Sequence, residues 1–450
     1  MLIVNARLVT LGAQPDILSD YALLIDGGTI GAVGATDELK ARYPQAEIID
    51  ARGQIVMPGG ICAHTHFYGA YARGMAIPGE PPRDFPQILQ RLWWPLDKAL
   101  DVDSVRASAL VCLVDAIKHG TTSLIDHHAS PACIEGSLDI IGEAVDQAGL
   151  RAVLCYEVSD RDGPDKMRAG IAENARFLAA AAADHPRLRG AFGLHASMSL
   201  SDASLRACVD AAPGQAGFHI HVAEHEADQS DSWRRSGLPV AQRLDRFGIW
   251  RDNSIAAHCV HINEAERDLL ARRGVWASHQ PRSNMNNGVG AADIDGMLDA
   301  GLQLCLGTDG FSSNMWAEWK AAYLLHKLAN RDPRRAPGDQ IARMAWGNNA
   351  NLLRRFFPEM PIGEICPGAA ADLILVDYQP FTPMTAGNLP WHLLFGFESS
   401  MVTTTICAGQ LLMRDRQLLT LDENAIAAAA LDLANGVWQR YSHYAKASLA

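Results

Sequence analysis

The sequence predicts an α/β fold, a (β/α)8 TIM barrel joined to a small β-sandwich domain that both chain termini assemble. Short strands separated by glycine fill the start of the chain, and a similar texture returns near its end. Between them, eight short apolar runs alternate with longer helical stretches, which is the pattern of repeated βα units. We therefore divide the chain into residues 1–57 and 361–423 for the two parts of the β-sandwich, 58–360 for the barrel and 424–450 for a C-terminal helix.

The eight predicted barrel strands follow one another through the middle of the chain. They are IVMPGGICAHTH, TSLIDHH, RAVLCYEV, RGAFGLHAS, GFHIHVAE, SIAAHCVH, GVWASHQ and LQLCLGTDG. Alanine- and leucine-rich segments lie between them, as expected for the helices of βα units. A doubly wound open sheet is the alternative, but no GxGxxG turn follows the first strand.

Composition indicates an ordinary soluble globular protein. The 450 residues are 48% hydrophobic and 20% charged, with a net charge of −12. No run of lysine and arginine predicts a nucleic-acid partner, and no apolar stretch is long enough for a membrane helix. The first residues lack the basic segment of a signal peptide, and the nine dispersed cysteines form no CxxC pair. We therefore expect reduced thiols and a cytoplasmic protein.

Histidines and an aspartate gather at the carboxyl ends of the predicted strands, where the active sites of barrels lie. Strands one and five each end in His-x-His, and residues two apart in an extended strand face the same side. Strand six adds a histidine and strand eight an aspartate. This donor set suits a divalent ion, Zn²⁺ first and Fe²⁺ as the alternative. The candidate donors are His64, His66, His219, His221, His258 and Asp309.

Five segments resemble a known family. PGGICAHTHFYGAYARG is similar to the metal-binding opening of the amidohydrolase superfamily. GFHIHVAE, SIAAHCVHI, SHQPRSN and LGTDGFSSN resemble the later motifs of its aminohydrolase and triazine-hydrolase branch, which includes guanine and cytosine deaminases. Within that branch, GMAIPGEPPRDFPQILQRLWWPLD and SNMNNGVG are most similar to the SsnA-type aminohydrolases. The resemblance covers nearly the whole chain, including the split terminal β-sandwich.

The resemblance implies a role for each residue of the site. Glu224, three residues after a metal-binding histidine, matches the proton shuttle of the family, and His258 matches the histidine that orients water and substrate. Asp309 would both bind the metal and accept a proton from its water. The neighbouring His261 matches no catalytic position. The implied metal ligands are His64, His66, His221 and Asp309.

The resemblance also favours a single metal ion. Binuclear members of the superfamily bridge two ions with a carboxylated lysine or an acid from strands three and four. Strand four carries no lysine, and strand three offers only Cys155 and Glu157. We predict one ion, and Glu157 keeps the binuclear alternative open.

Three side chains are the candidate contacts to substrate. His195 on strand four matches a family position that often touches substrate. His128 belongs to a pair with His127 after strand two, and one of the two is expected to point into packing because strand neighbours alternate. Trp94, or its neighbour Trp93, is suited to stacking on a flat ring, and the other tryptophan is expected in the core.

These features together predict a metal-dependent aminohydrolase. The expected substrate is a small purine-, pterin- or pyrimidine-like heterocycle, deaminated through a water that the metal activates. The alternative is hydrolysis of a cyclic amide or imine, which opens the ring without releasing ammonia. A non-catalytic metal-binding protein is the third hypothesis, and the presence of both Glu224 and His258 argues against it. The resemblance further implies a homodimer or a larger homo-oligomer.

Overall fold

The structure, a computed structural model, describes residues 1–214 and 216–449. Its strands are β1 Leu2–Val9, β2 Ile17–Asp26, β3 Thr29–Ala35, β4 Ile48–Asp50, β5 Ile55–Pro58, β6 Gly60–Thr65, β7 Thr121–His128, β8 Arg151–Tyr156, β9 Leu188–Gly190, β10 Phe192–Ala196, β11 Phe218–Val222, β12 Ile255–His258, β13 Trp276–His279, β14 Gln303–Leu306, β15 Leu373–Val376, β16 Val402–Cys407, β17 Gln410–Arg414 and β18 Gln417–Leu418.

Helices connect the strands and cover them. The α-helices are α1 Thr36–Arg42, α2 Phe85–Ile88, α3 Trp94–Lys98, α4 Val102–His119, α5 Ser137–Ala148, α6 Pro164–Asp184, α7 Asp202–Ala211, α8 Glu226–Ser236, α9 Val240–Arg246, α10 Glu264–Arg272, α11 Pro281–Asn287, α12 Ile294–Asp299, α13 Met315–Asn330, α14 Gly338–Ala342, α15 Asn349–Phe356, α16 Leu389–Gly396 and α17 Glu423–Leu449. Short 3₁₀ segments span Phe67–Ala72, Ser197–Ser199 and Ser399–Met401, and π turns span Leu89–Trp93 and Arg343–Asn348. Over the described ranges, no helix combines the length and the apolar character needed to span a membrane.

Eight parallel strands close into the predicted TIM barrel, which is confirmed. β6 to β9 pair in sequence order, and so do β10 to β14. β9 and β10 are two halves of the fourth strand, with only Ala191 between them. Parallel bridges from Val158 to Leu194 and from Thr65 to Asp309 join the two sets of strands. Every strand therefore directs its carboxyl end to the same mouth of the barrel.

Strands from both ends of the chain form one mixed sheet, which confirms a β domain assembled from the termini. Its order is β18-β17-β16-β15-β5-β1-β2-β3, with β4 beside β1. The run IVMPGGICAHTH, predicted as one barrel strand, forms two strands, because β5 pairs with β1 and β15 while β6 enters the barrel. A side chain at the intervening Gly59 would overlap Thr122. The domain boundaries at residues 57, 360 and 423 stay a prediction.

Local sequence fixes the helix that leads into the second barrel strand. The Asp101 side chain accepts a hydrogen bond from the backbone N–H of Ser104, and the Ser104 hydroxyl accepts one in return from that of Asp101. This capping box satisfies two donors at the start of α4. The helix ends at Gly120, whose φ of 75° lies in the left-handed region that glycine adopts at least cost. β7 begins directly afterwards.

A buried ion pair joins the barrel to the terminal sheet. The Arg151 side chain on β8 is 1% exposed and donates from Nε to Asp372 Oδ2 at 3.0 Å and from Nη2 to Oδ1 at 3.3 Å. Its third nitrogen donates to the Pro186 carbonyl at 2.9 Å, and its guanidinium lies 4.9 Å from the Phe357 ring centre. Because the charge is fully paired, its burial is tolerated at the junction of the two parts of the fold.

The helix α17 fastens the segment that follows β6. Trp438 Nε1 donates to the Tyr71 carbonyl at 3.0 Å, and the Tyr441 hydroxyl donates to the Arg91 carbonyl at 2.7 Å. The segment runs through the 3₁₀ turn after β6 and on to α3, and it crosses the mouth of the barrel. The predicted C-terminal helix thus shapes the entrance to the site.

Candidate active site

The four predicted metal ligands converge at the mouth of the barrel. His66 Nε2 lies 3.1 Å from Asp309 Oδ1, and His64 Nε2 lies 3.9 Å from the same oxygen. His221 Nε2 lies 3.2 Å from His66 Nε2. The ends of the first, fifth and eighth barrel strands therefore deliver three imidazoles and one carboxylate to one centre.

A close approach of the last strand to the first one places Asp309. The backbone N–H groups of Thr308 and Asp309 both donate to the His64 carbonyl, at 2.9 and 3.0 Å. A β-carbon at Gly307 would lie 2.6 Å from the His64 nitrogen, so only glycine fits this position of the LGTDG motif. The glycine therefore allows the strand that carries Asp309 to pack directly against the HTH strand.

Three non-glycine residues of the site have left-handed backbone conformations. They are Ala223 with φ 45°, His258 with φ 69° and Asp309 with φ 55°. Each such residue costs roughly 1–3 kcal/mol, and the surrounding structure must compensate for this strain. All three lie at or just after the ends of barrel strands, where the sharp bend turns a side chain toward the mouth.

The second nitrogen of each histidine predicted to bind the metal has a fixed partner. His66 Nδ1 donates to the His127 carbonyl at 2.5 Å, and His221 Nδ1 donates to the His195 carbonyl at 2.8 Å. His64 Nδ1 lies 2.8 Å from His219 Nε2, a side-chain partner. Such contacts orient histidine ligands and leave Nε2 for the metal.

The electrostatics of the cluster suit a divalent metal ion. Burial and the neighbouring imidazoles hold the pKa of His64 and of His221 well below the ordinary value, so both rings present neutral lone pairs. Burial raises the pKa of Asp309, but its contacts with His66 and His258 outweigh burial and hold that pKa well below its usual range. His64 Nε2 is buried and makes no hydrogen bond within the described part of the chain. Three imidazoles, a carboxylate and this unused nitrogen fit a zinc-type site with room for water.

Glu224, predicted as the proton shuttle, and His258, predicted to orient water and substrate, stand beside the cluster. Glu224 Oε2 lies 3.4 Å from His258 Nε2, and the same nitrogen lies 3.7 Å from Asp309 Oδ2. His258 Nδ1 donates to Asn284 Oδ1 at 2.9 Å, which leaves Nε2 as an acceptor facing the cluster. Burial and the nearby Asp309 charge raise the pKa of Glu224 well above its usual value. This shift favours the protonated carboxyl, which can donate a proton.

A cavity of about 560 Å³ opens onto this cluster. Its size lies within the range of small-molecule sites. His195 and Trp94 line it as predicted, and so does Trp93, which places both tryptophans in the wall. Further lining residues come from the segment after β6 and from later loops: Tyr68, Arg73, Phe85, Leu89, Met198, His225, Asn287 and Phe311.

His128 has a different position from the one expected for a substrate contact. It is fully buried, its Nε2 lies 2.8 Å from Ser130 Oγ, and it is not part of the cavity wall that the described residues form. Burial lowers the pKa of His128 to about 3, so the ring is neutral. The structure therefore brings His195 and Trp94, and not His128, to the cavity.

Sequence reasoning gave too little weight to Glu157, which lines the cavity after the third barrel strand. Its Oε2 lies 3.2 Å from His127 Nδ1, and its Oε1 lies 3.6 Å from His195 Nε2. Burial opposes ionisation of Glu157, but His195 and His127 outweigh it and hold the pKa well below the usual value. The rule that barrel chemistry follows the carboxyl ends of strands could have identified it, since it directly follows β8. Asn287, which donates to Glu224 Oε1 at 3.3 Å, was also missed.

The family model described as "Amidohydrolase family" matches residues 55–412, which include the whole barrel. The chain belongs to the amidohydrolase family. A second model, "Imidazolonepropionase-like composite domain, bacteria", matches residues 22–46 in the terminal sheet. Membership confirms the predicted family and a hydrolase that acts on carbon–nitrogen bonds. It also supports dependence on a divalent metal ion, without identifying the metal. The finer likeness to SsnA-type aminohydrolases stays a prediction.

Relatives of this amidohydrolase match it over nearly its whole length. It is 31% identical over 436 residues to a 5'-deoxyadenosine deaminase of Methanosarcina mazei, covering 96% of both chains. It is also 31% identical over 439 residues to a 5-methylthioadenosine/S-adenosylhomocysteine deaminase of Pelotomaculum thermopropionicum, covering 96% of this chain and 97% of the other. A solved adenosine deaminase from Xanthomonas campestris with bound zinc superposes with a TM-score of 0.84 at 26% identity, covering 97% and 98%.

Proposed function

We propose that this amidohydrolase removes ammonia from an amino-substituted, adenine-like heterocycle with the help of one divalent ion, Zn²⁺. The observation that carries the proposal is the position of His258 between two carboxyl groups. Its Nε2 lies 3.4 Å from Glu224 Oε2 and 3.7 Å from Asp309 Oδ2. A proton donor, a proton acceptor and a histidine thus surround one point beside the metal ligands. Relatives named as deaminases of adenine nucleosides support the choice of leaving group and ring.

The ion would be held by His64, His66, His221 and Asp309, as the family resemblance implies. When bound, a divalent ion supplies Lewis acidity that makes water a nucleophile near neutral pH. Zinc is favoured over iron because imidazoles with one carboxylate are typical zinc ligands, and because the solved adenosine deaminase contains zinc.

Asp309 and His258 would prepare the attacking water. Asp309 is ionised and can accept one of its protons, while His258, anchored by Asn284 through Nδ1, accepts a hydrogen bond at Nε2 and holds the oxygen in place. The oxygen then forms a bond to the ring carbon that carries the amino group. Because these groups are already oriented, little reorganisation accompanies the reaction.

Glu224 would move the protons on the other side of the reaction. Its protonated carboxyl gives a proton to the neighbouring ring nitrogen as the carbon–oxygen bond forms. The proton that Asp309 accepted then reaches the amino group, and the carbon–nitrogen bond breaks to release ammonia. The proton left on the new hydroxyl passes back to the Glu224 carboxylate as the ring gains its oxo group. Each cycle consumes one water, releases one ammonia and leaves Glu224 and Asp309 in their starting protonation states.

The cavity wall indicates how the ring would be seated. Trp94 offers a flat surface, and its neighbour His195 presents a ring nitrogen 3.6 Å from the Glu157 carboxylate. The Glu157 carboxylate suits an N–H donor of a ligand, because burying a carboxylate oxygen without a donor is costly. We propose Glu157 as a further substrate contact, in place of His128.

A turnover screen tests the proposal. The full-length protein, stripped of metal and reloaded with Zn²⁺, would be given adenosine, 5'-deoxyadenosine, 5'-methylthioadenosine and guanine, and ammonia and product mass would be followed together. Ammonia release that needs the added metal supports deamination. A product heavier by one water, with no ammonia, would replace the proposal with ring opening by a cyclic-amide hydrolase. The same preparation, measured by light scattering, tests the predicted homodimer or larger assembly.

A further inference from the structure

A directed chain of hydrogen bonds runs from the centre of the site into the barrel core. His64 Nδ1 lies 2.8 Å from His219 Nε2, and His219 Nδ1 lies 3.8 Å from Cys155 Sγ. The Cys155 thiol donates to the Asp126 carbonyl at 3.5 Å. All four residues are fully buried, so water does not compete for these contacts.

The direction of this chain follows from its last acceptor. A carbonyl oxygen only accepts, so the Cys155 hydrogen points to Asp126 and the sulfur accepts from His219 Nδ1. His219 Nε2 then carries the lone pair and accepts from His64 Nδ1. His64 is left with an unprotonated Nε2, the nitrogen that faces Asp309 and has no hydrogen-bond partner among the described residues.

His64 differs in this respect from the other two histidine ligands. His66 and His221 donate to backbone carbonyls, which fix their tautomers whatever the side chains around them. The partner of His64 is an imidazole, which can either donate or accept. The reverse arrangement, with His219 donating to His64 Nδ1, would put a hydrogen on His64 Nε2 and remove it from the donor set.

We propose that His219 and Cys155 are positioning residues that hold His64 in the tautomer able to bind the metal. The inference rests on the proposed function only for the statement that His64 is a metal ligand. Histidine ligands of metals are commonly oriented by a carboxylate or a carbonyl, and loss of such a partner typically weakens metal binding by about 10–100-fold. Here an imidazole on β11 and a thiol on β8 take that place.

The test is a measurement of Zn²⁺ affinity, independent of turnover. Metal-free full-length protein competes with a chromophoric chelator for Zn²⁺, and the absorption spectrum of the Co²⁺ form reports on the ligand geometry. We expect His219→Leu to raise the Zn²⁺ dissociation constant roughly 10–100-fold. His219→Gln restores much of the affinity, because an amide oxygen can accept from His64 Nδ1.

The thiol is tested by a matched pair and a control. Cys155→Ala should weaken Zn²⁺ binding less than His219→Leu does, and Cys155→Ser should restore it, because a hydroxyl can donate and accept in the same place. Cys305→Ala is the control, since Cys305 is another fully buried barrel cysteine, on β14. Thermal unfolding of each metal-free variant checks that it folds.

The outcomes separate this inference from the proposed function. A His219→Leu protein that binds Zn²⁺ as the wild type does would overturn the inference. If that variant does not fold, Cys155→Ala decides, and an affinity equal to that of the wild type and of Cys305→Ala overturns it as well. Wild-type affinity in His64→Ala would instead refute the metal site of the proposed function.

Discussion

Replacing Glu224 by glutamine tests the proton transfer with little disturbance of the fold. Glutamine has nearly the same shape, and Glu224 is 7% exposed, with Asn287 as a hydrogen-bond donor to Oε1 at 3.3 Å. The amide keeps an acceptor for Asn287 but has no proton to give to the substrate. The change therefore removes one chemical function and leaves the cavity intact.

The magnitude follows from the place of Glu224 in the reaction. A positioned general acid contributes roughly 10²–10⁴-fold to the rate, and each factor of ten corresponds to about 1.4 kcal/mol of activation free energy. We therefore expect kcat to fall by that factor, a loss of about 3–5.5 kcal/mol of transition-state stabilisation. The binding of substrate should change little, because Glu224 transfers a proton and does not position the ring.

The assay is the initial rate of ammonia release with the Zn²⁺-loaded enzyme. Glu226→Gln is a matched control, because Glu226 lies two positions further on and its side chain is 80% exposed. Metal content must be equal in the wild type and both variants. Retention of more than about a tenth of the wild-type kcat by Glu224→Gln would be too small a loss for a general acid and would refute the assignment.

Four further predictions follow from the same structure. Chelation of the metal should abolish turnover, and Zn²⁺ added back should restore it, as measured by ammonia release. Burial lowers the pKa of His326 to about 4 and that of its partner His279 well below the ordinary value, so the unfolded chain binds more protons between about pH 4 and 6.5. The free energy of unfolding should therefore fall by roughly 1.4 kcal/mol per histidine for each pH unit below about 6.5. Urea titrations of His326→Leu should show a weaker dependence of this free energy on pH. The same pH dependence in the variant and the wild type would contradict the prediction. Asp372→Ala leaves the Arg151 charge buried and unpaired, so calorimetry and denaturant titration should show a loss of about 3–5 kcal/mol. Trp94→Ala should raise KM about 2–10-fold with little change in kcat, since an aromatic contact contributes ~0.5–1.5 kcal/mol; an unchanged KM would place the substrate elsewhere.

The barrel and the cluster of histidines and aspartate at its mouth could be predicted from the sequence because both rest on local patterns. Alternation of short strands with helices gives the barrel, and the i, i+2 spacing of His64 and His66 puts both rings on one face whatever the remaining fold. Asp309 follows from its place at the end of the last strand. Glu224 required the family resemblance, because a glutamate after a strand is by itself no sign of catalysis.

The residues around the substrate were harder to predict for a physical reason. Which of two neighbouring strand residues faces the mouth depends on the exact end of the strand, and β7 extends through His128, which is buried beside Ser130. The sequence indicated Glu157 only as a possible bridge between two metals. Its contacts with His127 and His195 could not be predicted, because they join residues from three separate strands. Such contacts depend on the closed barrel and leave no trace in local spacing.

The fastening of the cavity wall by α17 has a consequence for how enzymes of this kind diverge. The groups proposed to carry out the reaction stand at the ends of barrel strands. The segment that lines the cavity is held by a helix whose Trp438 contacts Tyr71, 367 positions away in the sequence. We expect substitutions in that helix to shift the entrance while the proposed metal donors, Glu224 and His258 stay where they are. The entrance and the proposed reacting groups are thus held by distant parts of the chain, so we expect the choice of substrate to be separable from the chemistry.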